Sequence, residues 1–171
     1  IYLPTLLLTI PRNPVTAVGL PLAIGFARGL INRNGVKGDW FQNLCSSPGL
    51  YPYEAFRVVM PIFYISLGYA SHLAVRVIDE SASDDNTWNA SAALAAYYVH
   101  LGLNLVWTPQ FFKSKQSGLA LANTALMTGS ALFIAKMLDR PTQHEATFCL
   151  LPYCAWLAYM TYLNAGVWWL N

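Results

Sequence analysis

From Ala146 to Asn171 the chain carries no ionised side chain at all. A mostly apolar run of that length cannot form the water-facing surface of a soluble fold, whereas a bilayer core about 30 Å thick takes roughly 20 such residues as one helix. Three further runs share the property. Val58–Val75 is uncharged between Arg57 and Arg76, whose long side chains can snorkel to opposite interfaces. Asn86–Phe112 has His100 as its one basic side chain, and Gln116–Ala135 is fenced by Lys113 and Lys115 on one side and Lys136 on the other. A shorter apolar run, Asn13–Ala27, follows Arg12; Pro14 fits a first helical turn, where a missing N–H costs little. The economical reading there is one helix over 14–31, preceded by a helical turn. These spacings predict an all-α membrane protein, a five-transmembrane-helix bundle with spans near 14–31, 56–78, 88–112, 117–137 and 146–170, in a single domain over 1–171.

Composition agrees. Only 11% of the 171 residues are charged, against about 25% in an ordinary soluble domain. The net charge of +2 and the lack of a basic run give no reason to expect nucleic acid as a partner. Cys45, Cys149 and Cys154 lack the spacing of a zinc site or disulfide framework, so no metal is expected. The chain opens on Ile1 rather than Met, as it would with a leader or short tail missing, and a cleaved signal peptide cannot be judged from it.

The longest connector, 32–55, contains Gly35, Gly38, Pro48, Gly49 and Pro52, which oppose a regular helix. With five spans this connector, the Lys113/Lys115 loop and the C-terminus share one side, which carries slightly more basic residues and is expected in the cytosol. The acidic connector, with Asp79, Glu80, Asp84 and Asp85, falls on the other.

Within the spans, polar and aromatic side chains recur at helical spacing. Tyr97, His100, Asn104, Trp107 and Phe111 share one face of the third span; Tyr153, Trp156, Met160 and Asn164 share one face of the fifth; Tyr64, Gly68 and Ser71 recur on the second. Amides and imidazoles are costly in hydrocarbon, so these faces should look inward. Two readings stay open on spacing alone: a pocket for a flat, mostly apolar ligand, or asparagines that tie helices together. His72 and His100 could ligate haem iron, but no CxxCH or matched pair supports it. Gly118, Ala122, Ala125 and Gly129 form a small-residue seam on the fourth span that fits close packing against another helix, and Gly25 and Gly29 form a GxxxG on the first, suited to packing or dimerisation. No GxSxG, HExxH, phosphate loop or paired carboxylates occur within a span, so no catalytic residue is assigned.

Three stretches carry a family resemblance. His100-Leu-Gly-Leu-Asn104-Leu-Val-Trp107-Thr-Pro109-Gln-Phe111-Phe112 resembles the QLxLNxxWxPxFF signature of the translocator protein family (TspO, or peripheral-type benzodiazepine receptor, or tryptophan-rich sensory protein), with His for Gln. Leu151-Pro152-Tyr153-Cys-Ala-Trp156 with Thr161-Tyr-Leu163-Asn164 is similar to its LxPYxxW…TxLN segment, and Tyr64-Ile-Ser-Leu-Gly68-Tyr69-Ala70 to LYxxMGYA. Trp40-Phe41-Gln-Asn-Leu44 resembles its WYxxL.

The resemblance implies a five-helix bundle, often a homodimer, that binds porphyrins, sterols and other small lipophilic ligands in a pocket closed by the first connector, surrounded by membrane lipid. Carried across, Asn104, Trp107, Trp156 and Asn164 line or orient that pocket, with Tyr64, Met160 and His100 as further candidates. No cofactor is expected; porphyrin or haem enters as a ligand. The expected role is a receptor or carrier in tetrapyrrole handling, transport or stress signalling. Light-driven porphyrin degradation, credited to some family members, ranks second, and an interaction scaffold third. The expected location is the mitochondrial outer membrane in a eukaryote or the cell envelope in a bacterium. The chain departs from the family pattern at Gly49 and Met60, where Trp is usual, and at Arg57, where Gly is usual. Ala165 and Trp169 also stand where its sterol-recognition pattern has Tyr and Arg.

Overall fold

The computed structural model describes residues 3–45, 48–49 and 53–171, and the side chains of 53–55 lie outside that description. Pro52, one of the helix-opposing residues of the connector, also lies outside it. The described residues form seven α-helices: α1 (Thr5–Arg12), α2 (Pro14–Val36), α3 (Asp39–Gln42), α4 (Tyr53–Glu80), α5 (Asp84–Thr108), α6 (Ser117–Asp139) and α7 (Glu145–Leu170). A π-helical turn, Pro109–Lys113, extends α5.

Local chemistry sets the breaks. Asn13 is extended and ends α1, and its side chain accepts the Val15 N–H at 2.9 Å, so that it caps α2 with Pro14 in the first turn. Pro109 brings no N–H to continue α5, and the backbone closes instead with Ser114 N–H donating to the Pro109 carbonyl at 3.0 Å. Pro21, Pro61 and Pro152 lie inside α2, α4 and α7, as membrane helices tolerate better than soluble ones.

Helix α4 is central, packing on α2, α5 and α7, while α6 fills the space between α5 and α7. Leu67, Leu94, Tyr97, Leu150 and Tyr153 make the core, each almost fully buried. Helices α2 and α4 come close at Gly68, where a Cβ would stand 2.5 Å from the Ala17 carbonyl oxygen and 2.7 Å from Val18 Cα. Outward faces are apolar: Phe26 and Phe148 are 77% and 75% exposed, in company with Val15, Val58, Leu126 and Trp169. Water would not tolerate such a surface, and lipid requires it.

Four helices are long and apolar enough to cross a membrane: α2, α4, α6 and α7. The sequence predicts five spans. Helix α5 has the length, 25 residues, but lacks the apolarity, because Ser91, His100, Asn104 and Thr108 dilute it. All four of those side chains are buried within the bundle. The small-residue seam also corrects an expectation. Ala122, Ala125 and Gly129 face outward, and α6 packs internally through Ala120, Thr124, Met127, Ala131 and Leu138 instead.

The two ends differ. At one, Arg12 forms a two-pronged ion pair with Asp79 at 2.8 and 2.9 Å, and His72 meets the Pro11 carbonyl at 2.9 Å. At the other, the connector after α2 is held down over the bundle. Trp40 packs edge-on to Phe111 at 5.5 Å, and Phe112 occupies the space a side chain at Gly35 would need. Cys45 and Asn171 exchange two hydrogen bonds, of 3.0 and 2.8 Å, and the Tyr159 hydroxyl donates to the Gly49 carbonyl.

Candidate functional site

Beneath that connector, helical spacing on α5 turns Asn104, Trp107 and Thr108 inward toward α2 and α4. They meet Arg28, a cation on α2 only 6% exposed. Its Nε donates to Thr108 Oγ1 at 3.1 Å, and its Nη1 donates to Tyr64 Oη at 2.6 Å and to Asn104 Oδ1. The Tyr64 hydroxyl donates in turn to Asn104 Oδ1 at 3.2 Å. The guanidinium also lies 5.5 Å from the centre of the Trp107 ring, a cation–π distance. Trp107 stacks on Phe111 with centroids 5.1 Å apart and an angle of 8°. The π-helical turn therefore sets the aromatic wall by bringing Phe111 back under Trp107.

A cavity of about 20 Å³ opens against this cluster, bounded by Arg28, Asn104, Trp107, Phe56, Met60, Thr124, Met127, Trp156, Leu157 and Met160. That space holds about one water molecule. Phe63 packs between Tyr153 and Trp156, with centroids 5.5 and 5.7 Å away, and so fixes the α7 side of the wall.

Of the seven sequence-derived candidates, Asn104, Trp107, Trp156 and Met160 line the cavity. Tyr64 orients Arg28 and Asn104 from α4. His100 stands one turn behind and is fully buried, with Nδ1 at 2.7 Å from Ser130 Oγ and Nε2 at 2.7 Å from Tyr153 Oη. Asn104 Nδ2 donates to the His100 carbonyl at 3.2 Å, joining the two layers. Asn164 is not brought to the cavity. It is buried on α7, where its Nδ2 donates to the Met160 carbonyl at 2.8 Å and its Oδ1 has no partner. Arg28 and Thr108 are absent from the sequence-derived set. The signal for Arg28 was a lone cation inside an apolar run, which in a membrane helix marks function more often than packing.

Two other concavities lie elsewhere. One, about 310 Å³, opens at the opposite end beside Arg76 and Glu80, which pair with each other at 3.4 Å in solvent. The other, about 400 Å³, is a shallow groove by Trp168 and Trp169 on the outer face of α6 and α7. Neither combines burial with convergent polar groups as the Arg28 cluster does.

An apolar-sheathed helical bundle enclosing a polar and aromatic cluster at one end defines an integral membrane protein with an internal cleft. Residues 17–170 match the TspO/MBR family, and the chain belongs to that family. It is 36% identical over 120 residues to the "Translocator protein homolog" of Schizosaccharomyces pombe, covering 70% of each chain. It is 31% identical over 156 residues to the "Translocator protein" of Homo sapiens, covering 90% of this chain and 89% of that one. Against the "Tryptophan-rich protein TspO" of Archaeoglobus fulgidus the identity is 27% over 160 residues, covering 92% and 95%.

Proposed function

We propose that this chain is a membrane receptor or carrier that takes a flat, mostly apolar ligand, a porphyrin or a molecule of similar shape, into the cleft beside Arg28. In this reading all of 1–171 is one domain, and α5 crosses the bilayer as a fifth span with its polar side chains turned into the bundle. The carrying observation is convergence: Asn104 and Trp107 on α5 meet Trp156 and Met160 on α7 around one cavity. Aromatic walls with a few placed polar groups suit such a ligand. As it stands the cavity is far too small for a ring system, so ligand entry requires its walls to move apart. Met60, Met127 and Met160 line the movable walls, and methionine repacks at little cost. The role fits tetrapyrrole handling, transport or stress signalling, in the mitochondrial outer membrane of a eukaryote or the cell envelope of a bacterium.

Titrating protoporphyrin into the protein in detergent tests the reading through quenching of tryptophan fluorescence. Trp107→Ala and Trp156→Ala are expected to weaken binding about tenfold or more, given the share of energy that central aromatic anchors carry. Identical curves for both variants and wild type would rule the cleft out. Light-driven porphyrin degradation ranks below binding, because both ring nitrogens of His100, the one proton-transfer candidate, are already engaged. A homodimer is proposed through the outward small residues Ala122, Ala125 and Gly129 on α6. Mass measurement in nanodiscs that finds only monomer removes that part.

A further inference from the structure

We infer that the molecule this cleft takes carries a carboxylate, held by Arg28; the inference deepens the ligand-site reading above and rests on it. A guanidinium keeps its charge in a protein, and Arg28 has been taken almost wholly out of water. Among the described residues every partner it has is neutral: the hydroxyls of Thr108 and Tyr64, the carbonyl oxygen of Asn104 and the face of Trp107. The ion pairs among the described residues, Arg12–Asp79, Arg76–Glu80 and His144–Asp139, all lie at the opposite end of the bundle. A buried cation without a counter-charge is an arrangement that folded proteins ordinarily avoid.

The hydrogen-bond inventory points the same way. Arg28 Nη2 has no acceptor among the described residues, and Trp107 Nε1 is buried without one. Donors therefore outnumber acceptors where Arg28 and Trp107 line the cavity. A planar guanidinium fork beside an aromatic wall matches a carboxylate borne on a flat apolar body. A neutral sterol offers one hydroxyl and leaves the charge uncompensated. A porphyrin with propionate side chains offers both the ring and the anion; a long-chain fatty acid offers the anion alone.

Protoporphyrin and its dimethyl ester share one ring and differ in charge, so they separate the two claims. In wild-type protein the free acid is expected to bind at least about tenfold more tightly than the ester, the difference a charge-assisted hydrogen bond makes. Arg28→Gln is expected to abolish the preference for the acid over the ester, and Arg28→Lys to retain part of it. Equal affinity of acid and ester for wild type overturns the anion site and leaves the ligand cleft standing, whereas no quenching by either overturns both. If Arg28→Gln binds neither, the variant carries no information on the preference, and the wild-type comparison decides alone. Oleate as a competitor identifies the source: displacement of the acid but not the ester supports a lipid carboxylate at Arg28, and displacement of both equally counts against the anion site.

Discussion

His100 joins three helices through its ring: it sits on α5 and reaches Ser130 on α6 and Tyr153 on α7. Replacing it by Ala leaves the buried Tyr153 hydroxyl without that partner and opens a hole in a layer that is otherwise fully packed. His100→Ala is expected to lower stability by roughly 1–3 kcal/mol, toward the lower end because membrane hydrogen bonds are worth less on average. His100→Gln, which installs the residue usual in the family signature, should lose less. Thermal unfolding in detergent compares the two, and equal losses would show that the ring's bonds carry no weight. At this scale much of the site is legible in the sequence. Asn104, Trp107, Trp156 and Met160 fall on inward faces because three- and four-residue steps return to one side of a helix. Arg28 escapes that reading although the predicted span 14–31 contains it, because the site candidates come only from the polar and aromatic stripes of the second, third and fifth spans. Asn164 has the right spacing but spends its amide on its own helix, a choice that no spacing rule reveals.

Among elements, the contact of α2 with α4 depends on Gly68. The atoms a Cβ would meet there are backbone, the Ala17 carbonyl and Val18 Cα, and backbone cannot swing aside as a side chain can. Gly68→Ala must push the helices apart, with an expected loss of roughly 1–3 kcal/mol and a looser seat for Arg28 against Tyr64. Gly102 on α5 provides the contrast, because a Cβ there meets nothing within 4 Å. Gly102→Ala should stabilise by roughly 0.5–1 kcal/mol through helix propensity alone. Unfolding midpoints measured side by side check both signs, and a neutral Gly68→Ala would mean that the helices are less tightly joined than these distances require. Helix positions are legible because charges collect at their ends: α4, α6 and α7 start and stop within a few residues of the predicted spans. Helix α5 lies close to the predicted 88–112, but its buried polar face makes it read as less apolar than its surroundings are. The π-helical turn is hidden. Pro109 announces a break but does not say that the chain will widen by one residue and bring Phe111 under Trp107.

Taken whole, the molecule is tied together at both of its ends. The bundle itself is held by helix–helix packing along its length. Among the described residues the connector after α2 is held by separate attachments that include Trp40 and Phe41 on Phe111, Tyr159 to Gly49, Tyr162 to Pro48, and the reciprocal pair between Cys45 and Asn171, 126 residues apart in sequence. Segments held by few buried contacts open locally at far less cost than the global fold. Asn171→Ala removes both bonds to Cys45 and the one that its Nδ2 donates to the Val167 carbonyl at 2.8 Å, so the change should be confined to the connector and the last turn of α7. Amide hydrogen exchange at residues 39–45 is expected to speed up about tenfold, as the loss of one to two hydrogen bonds allows, with α4 to α6 and the rest of α7 unchanged. In the proposed reading this segment closes the cleft, so bound porphyrin should also leave faster, while its association rate changes less. Exchange that rises through α7 as well would show that Asn171 holds the bundle together. Unchanged exchange at Cys45 would show that the aromatic contacts of Trp40 and Phe41 with Phe111 are sufficient to close the cleft.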